Sequence, residues 1–131
     1  MSGAVPGAPN AEDPTDVDRY EVALGEIQGA GGEVLVAERR GEVLGFCQLL
    51  VFRHLQANGG LCAELESVHV GADHRGEGIG GTLVRAAVDR ARALGCYRVQ
   101  LTSNRQREEA HHFYESLGFE PTHVGYKLRL G

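Results

Sequence analysis

Apolar residues at Tyr20, Ala23, Leu24 and Ile27 recur at helical spacing and predict one short helix over 17–28, with Asp16 as its N-cap. The run GAGG at 29–32 ends it. Residues 33–38 (EVLVAE) predict a strand and 39–42 (RRGE) a turn. Residues 43–52 (VLGFCQLLVF) predict a second strand, apolar on both faces and so central in its sheet. Asn58, Gly59 and Gly60 mark another turn, and 61–70 (LCAELESVHV) a third strand. These three strands are expected to form an antiparallel meander.

The period then changes. Ile79, Leu83, Ala87, Ala91 and Leu94 make a helical stripe over 79–94, with Gly95 as its stop. Residues 97–102 (YRVQLT) alternate as a strand. Ser103 and Gln106 fit a capping box ahead of a helix that carries Ala110, Phe113, Tyr114 and Leu117 on one face and ends at Gly118. Val124, Tyr126, Leu128 and Leu130 alternate with His123, Gly125, Lys127 and Arg129, which predicts a half-buried last strand. The order is helix, three strands, helix, strand, helix, strand: an α/β domain with a mixed, mostly antiparallel sheet flanked by helices.

Residues 1–16 hold three of the four prolines and no apolar period, and read as a disordered tail before a single domain at 17–131. A chain of 131 residues buries roughly 70% of its unfolded surface, enough for a core without staples. The net charge of -5 argues against a nucleic-acid partner, which needs a basic face. No apolar run reaches the roughly 18 residues of a membrane span, and no charged-then-apolar leader opens the chain, so a cytoplasmic location is expected. Cys47, Cys62 and Cys96 are odd in number and widely spaced. They read as buried thiols in a reducing compartment. His54, His69, His74, His111, His112 and His123 show no metal-ligand context.

The chemistry concentrates at 70–82, where a strand runs into VGADHRGEGIGGT and the turn opens a long helix. The first amides of a helix lack internal partners, the macrodipole adds positive charge there, and glycines admit a ligand close to the backbone. Such a turn suits a pyrophosphate, with Arg75 as an added donor. Gly76, Gly78 and Gly81 formally match a dinucleotide fingerprint. The ribose-binding acid that should follow about 20 residues on is missing, since Leu101 and Thr102 stand there. No Gly-Lys-Ser/Thr is present for a P-loop.

Arg75-Gly-Glu-Gly78-Ile-Gly80 resembles the R/Q-x-x-G-x-G/A signature of the GNAT superfamily of N-acetyltransferases. Leu101-Thr-Ser-Asn104, followed by Ala110, Phe113, Tyr114, Leu117, Gly118 and Phe119, resembles that family's second motif. The resemblance covers roughly 33–130 and is similar in its second half to small bacterial members, aminoalkylphosphonate acetyltransferases among them. It implies acetyl-CoA as co-substrate, with the pantetheine arm along the splayed strand edge at Val68, His69 and Val70. The pyrophosphate would lie on Arg75, Gly76, Glu77, Gly78, Ile79 and Gly80, with Gly81 and Thr82 behind. Asn104 matches the family's asparagine at the next strand–helix junction, which often contacts the cofactor, and it can serve as a helix cap as well. Arg105 and Arg107 are candidates for the outer phosphates.

The implied reaction is direct attack of a primary amine, of a small molecule or an exposed protein amine, on the thioester. Such an amine is almost wholly protonated at neutral pH, so a general base helps. Glu64 and Glu66 sit two apart on one strand and should share a face with Val68 and Val70. Acids in an apolar strand are costly unless used or paired. Glu64 matches the base of some histone-type members and Glu66 an acid of many small-molecule members. Tyr114 matches the family's proton donor to the departing thiolate. The usual first strand of the family is missing ahead of the short helix. That leaves the acceptor pocket open, completed by a partner subunit, or cut by a late start of the chain. The exposed sheet edge favours a homodimer. The alternative function is a non-catalytic acyl-CoA-binding or interaction module on the same fold.

Overall fold

The computed structural model describes residues 17–131. The expectations for the tail and for Asp16 as a cap lie outside the described residues. Two compact units meet in the chain at Gln100 and Leu101.

The first unit carries α1 (Val17–Gly29), β1 (Glu33–Arg39), β2 (Glu42–Arg53), a one-turn α2 (Gln56–Gly59), β3 (Leu61–Val70), α3 (Ile79–Ala93) and β4 (Arg98–Gln100). The sheet order is β1-β2-β3-β4, with β1, β2 and β3 antiparallel and β4 parallel to β3. Among the described residues no strand precedes β1. The β2–β3 connection turns through Ala57 and Asn58, both left-handed. Gly95, at φ 88°, ends α3 as its spacing predicts, with Cys96 N–H reaching back to the Ala91 carbonyl at 2.9 Å.

The core follows from matching one strand face to one helix stripe. Cys47, Leu49, Ala63 and Leu65 supply the sheet side and Leu83, Val84, Ala87 and Ala91 the α3 side, all buried. Each large aliphatic buried here contributes about 1.5–3 kcal/mol. Gly45 lets β2 and β3 close up, because a methyl group there would stand 2.6 Å from the His69 carbonyl oxygen. The opposite face of β2 carries Phe46, Gln48, Leu50 and Phe52. The apolar stripe of α1 behaves otherwise than expected. Tyr20 and Leu24 stay exposed and only Ile27 is half-buried, because α1 touches the sheet mainly at its end, where Ile27 packs near Gly32.

The second unit, Leu101–Gly131, holds α4 (Glu108–Ser116). Gly118, at φ 97°, follows its end. The capping box does not form. Asn104 Oδ1 accepts the Gln106 amide at 2.9 Å, and this tight turn delays the helix to Glu108, beyond reach of Ser103. The buried Ser103 hydroxyl has no hydrogen-bond partner among the described residues. The expected last strand is not a strand either. Residues 120–131 carry no regular structure, with Tyr126 94% and Leu128 84% exposed. Alternation made the segment fit for a sheet, but no ladder pairs it here.

Candidate active site

The parallel edge sets the site. β4 pairs with β3 only at Cys62↔Arg98, Ala63↔Val99 and Glu64↔Gln100. From Leu65 to Val70, β3 runs on with β2 alone. The β3–β4 ladder ends where β4 itself ends, at Gln100. Val70 ends opposite Gly45, and the Gly71 amide donates to the Leu44 carbonyl at 2.8 Å, which anchors the exit of the strand.

A single 3-10 turn (Ala72–His74) leads to Arg75, and the chain then needs left-handed backbone twice, at Gly76 (φ 84°) and at Gly78 (φ 80°), the N-cap of α3. A side chain on either glycine would meet open space, so conformation and not crowding selects glycine there. The first closed bond of the helix runs from the Thr82 amide to the Gly78 carbonyl at 3.1 Å. The amides of Ile79, Gly80 and Gly81 come before it and lack helical partners. The Thr82 hydroxyl also donates to the Gly78 carbonyl, at 3.1 Å, so its side chain serves the helix start.

The Glu77 side chain is committed elsewhere. It accepts from Arg39 Nη1 at 3.2 Å and from His74 Nδ1 at 3.2 Å, while His74 Nε2 reaches Glu42 at 3.2 Å. The Arg39 guanidinium foremost, then His74, hold the Glu77 carboxyl below the usual range. The bond to Glu42 foremost, with that to Glu77, holds His74 above its own. The network ties the turn to the ends of β1 and β2. Arg75 is exposed at the turn. Partial burial lowers the His69 pKa, and the Arg75 charge adds to that.

Sequence reasoning missed Arg85. Helical side chains lean toward the N-terminus, and a methyl group on buried Gly81 would stand 3.2 Å from Arg85 Nη1. A cation therefore lies over the first turn of α3. The four-residue step from Gly81 to Arg85 was the available signal.

The carboxyl pair sits on β3. Glu64 stands opposite Leu50 and Glu66 opposite Gln48. The expectation that they share a face with Val68 and Val70 fails. Ser67, at φ 54°, adds a residue to β3, so two residues oppose Cys47 and the alternation changes phase. His69, opposite Phe46 and in ring contact with it at 5.6 Å, takes the face of Glu64 and Glu66. Glu64 is half-buried and accepts from Gln100 Nε2 at 2.8 Å. Burial foremost, then the hydrogen bond and charge of Glu64, push the Glu66 carboxyl above the usual range.

Asn104 and Tyr114 belong to the second unit. The Asn104 carbonyl accepts from the Arg107 amide at 3.0 Å and bonds His111 Nε2 at 2.8 Å. Asn104 thus shapes the turn before α4 rather than capping the helix. Half-buried Tyr114 packs edge-on to Phe113 at 5.0 Å and Phe119 at 5.8 Å. His112, Arg105 and Arg107 are exposed. His123 bonds its neighbour Thr122. His54 bonds Tyr97 at 2.6 Å.

A mixed sheet whose one parallel pairing is short, next to a strand that runs through a glycine-rich turn into a helix start, is an α/β arrangement of the acetyltransferase class. Residues 6–119 match the acetyltransferase (GNAT) family, and the chain belongs to it. The match begins upstream of the span that the motifs alone marked. Over 95 residues, 72% of this chain, it is 33% identical to the aminoalkylphosphonate N-acetyltransferase of Salmonella typhimurium, and spans 61% of that protein's length. Over 115 residues, 85% of this chain, it is 31% identical to glucosamine 6-phosphate N-acetyltransferase 1 of Oryza sativa subsp. japonica, covering 68% of that protein. The crystal structure of a transcriptional regulator from Bacillus halodurans C-125 superposes with a TM-score of 0.83 at 37% identity, covering 92% of this chain and 81% of that one.

Proposed function

We propose that the chain transfers an acetyl group from acetyl-CoA to a small primary amine that carries a phosphonate or phosphate. The observation that carries the transfer is the edge of β3. Its pairing with β4 ends at Glu64, and it runs through an anchored turn into the open amides of α3. That edge suits an extended, amide-bearing arm, and the amides of Ile79, Gly80 and Gly81, with Arg75 and Arg85 beside them, suit a pyrophosphate. Both named relatives, by their names, act on amines bearing a phosphorus oxyanion. Arg98, on the same face as Gln100, is a cation suited to such a group.

In this reading Glu64 takes a proton from the ammonium of the acceptor. The freed lone pair attacks the thioester carbon, the carbon–sulfur bond breaks, and the nitrogen sheds its surplus proton as the amide forms, which restores the proton that Tyr114 gives up. Tyr114 gives its proton to the departing thiolate. The amide of Val70 or a neighbour on β3 would polarise the thioester carbonyl. A module that only binds acyl-CoA has no use for a carboxyl pair in the strand beside the cofactor edge. Buried free thiols at Cys47 and Cys62 accord with work in the cytoplasm. Homodimer formation belongs to the same reading, through the exposed apolar residues of 124–130.

The test is thiol release from acetyl-CoA over a panel of aminoalkylphosphonates, amino-sugar phosphates, polyamines, aminoglycosides, amino acids and lysine peptides. Release driven by the first two classes supports the proposal. Release driven only by others keeps the transfer and overturns the acceptor. Tight CoA binding with no turnover overturns the transfer.

A further inference from the structure

In the run VLGFCQLLVF of β2, Gln48 alone carries a side-chain amide. Its neighbours Cys47 and Leu49 belong to the core against α3 and are fully buried, so Gln48 takes the other face of the strand, where it is half-buried. Strand pairing fixes what surrounds it there. Val34 of β1 stands opposite on one side and Glu66 of β3 on the other. Leu50, two residues on, stands opposite Glu64. Glu64 is therefore a diagonal neighbour of Gln48, about 7–8 Å away, a gap that two long side chains can close on a common ligand.

The two amides of this face are used differently. Gln100 spends both of its ends: Nε2 donates to Glu64 Oε1 at 2.8 Å, and Oε1 accepts from Cys62 Sγ at 3.6 Å. Gln48 spends neither. Among the described residues its side-chain amide has no hydrogen-bond partner. A half-buried amide without a partner in an apolar strand costs stability, and an apolar side chain of the same size would not. Gln48 is thus an unspent polar group set diagonally from the carboxyl read as the base.

We propose that Gln48 is a specificity-determining residue for the acceptor: its Oε1 accepts one N–H of the acceptor ammonium while Glu64 takes another, and this grip selects primary amines. The inference rests on the acetyltransferase reading, with Glu64 as the base. A primary ammonium carries three hydrogens. The first passes to Glu64: its N–H bond breaks, an O–H bond forms, and the electron pair stays on nitrogen for attack on the thioester carbon. The second leaves as a proton when the amide forms. The third stays on the nitrogen of the product, and it is the one that Gln48 holds throughout. A neutral oxygen suits that task, because it accepts the hydrogen without competing for the proton. An N-methyl ammonium carries two hydrogens and loses both, so the grip of Gln48 has to be released before its amide can form.

The experiment compares the wild type with Gln48→Met, which keeps the volume and removes the amide. It measures kcat/KM for the fastest primary amine of the panel and for its N-methyl analogue, with CoA binding and urea unfolding of the same proteins. The expected result is a wild type that prefers the primary amine. Gln48→Met should lose about tenfold or more on the primary amine, the scale of one hydrogen bond to a charged group, and little on the N-methyl amine. The Kd for CoA should be unchanged, and the urea midpoint equal or higher, because an unpaired amide has been replaced. An equal loss on both amines overturns the proposal, as does a wild type with no preference or a lowered urea midpoint in Gln48→Met. Absence of turnover in the wild type overturns the acetyltransferase reading instead. The nitrogen-15 NMR signal of the Gln48 side chain then decides, on adding 2-aminoethylphosphonate to the CoA complex: a shift supports the contact, and an unmoved signal overturns it.

Discussion

Arg39, the last residue of β1, holds the carboxylate of Glu77, in the middle of the glycine-rich turn, at 3.2 Å. The contact spans 38 positions of sequence and fixes a turn whose own glycines leave it loose. His74 and Glu42 complete the pin. Glu77→Gln and Arg39→Ala should each weaken CoA binding about two- to fivefold, the scale of an exposed ion pair, without unfolding the chain. Calorimetry of CoA binding measures this.

The same pin depends on pH. Glu77 titrates below its ordinary 4.5, so its contribution is present above that value and is lost as pH falls through the lowered one. His74 titrates above its ordinary 6.5, so its contribution is complete below 6.5 and is lost as pH rises through the raised value. The network is strongest between those limits. The difference in CoA affinity between wild type and His74→Gln should be full between pH 4.5 and 6.5, decline as pH rises through the raised His74 value, and vanish in alkaline buffer. A difference that grows with pH would contradict the assignment. Comparing the two proteins at each pH cancels the titration of CoA itself.

Three glycines should respond differently to alanine. Gly45→Ala drives a methyl group against the His69 carbonyl at 2.6 Å, and should cost about 1–3 kcal/mol in urea unfolding. Gly78→Ala meets no atom but must hold φ near 80°, at about 1–2 kcal/mol. Gly81→Ala has an ordinary helical backbone and only the flexible end of Arg85 to displace. It should leave stability unchanged or raised, and weaken CoA binding if Arg85 contributes there.

Tyr114→Phe keeps the edge-on packing with Phe113 and Phe119 and removes the hydroxyl alone. A lost proton donor should lower kcat by about a hundredfold or more, with CoA affinity and melting temperature retained. Steady-state kinetics with the best acceptor measure this. Full activity in the variant would remove Tyr114 from the mechanism.

The wild type should sediment as a dimer, and Tyr126→Ser with Leu128→Ser as a monomer. Both side chains are exposed, and the proposed dimer would cover them. Monomeric wild type would set the homodimer aside.

Patterns of period 2 and 3.6 located β1, β2, β3 and α3 to within a residue or two, because each puts one consistent apolar face on a common core. Gly76 and Gly78 were legible for a related reason: two left-handed residues in a row of turns require them. The failures share a different cause. Tyr20 and Leu24 repeat at helical spacing but meet no sheet, and Val124 to Leu130 alternate but meet no ladder. Periodicity reports what a segment could bury, not whether a surface is there to receive it. Ser103 and Gln106 have the right spacing for a capping box, yet Asn104 competes locally for the same amides and wins. Gln100 and Arg85 carry no motif. Their partners, Glu64 and Gly81, become visible only once strand pairing and helix direction are known.

Ser67 makes residue count, not residue identity, the quantity that matters in β3. Its extra position brings His69 under the carboxyl pair and turns Val68 and Val70 away from where strict alternation would put them. Any substitution at Ser67 that tolerates a left-handed backbone preserves that arrangement. Removing the residue would exchange the two faces of the strand downstream, up to the glycine-rich turn. The carboxyl-bearing half of the strand and the half that leads into the turn are thereby set in relative phase by a single inserted peptide unit. Substitutions on either side of it change one side chain at a time, but a one-residue deletion changes which face every following side chain of the strand occupies.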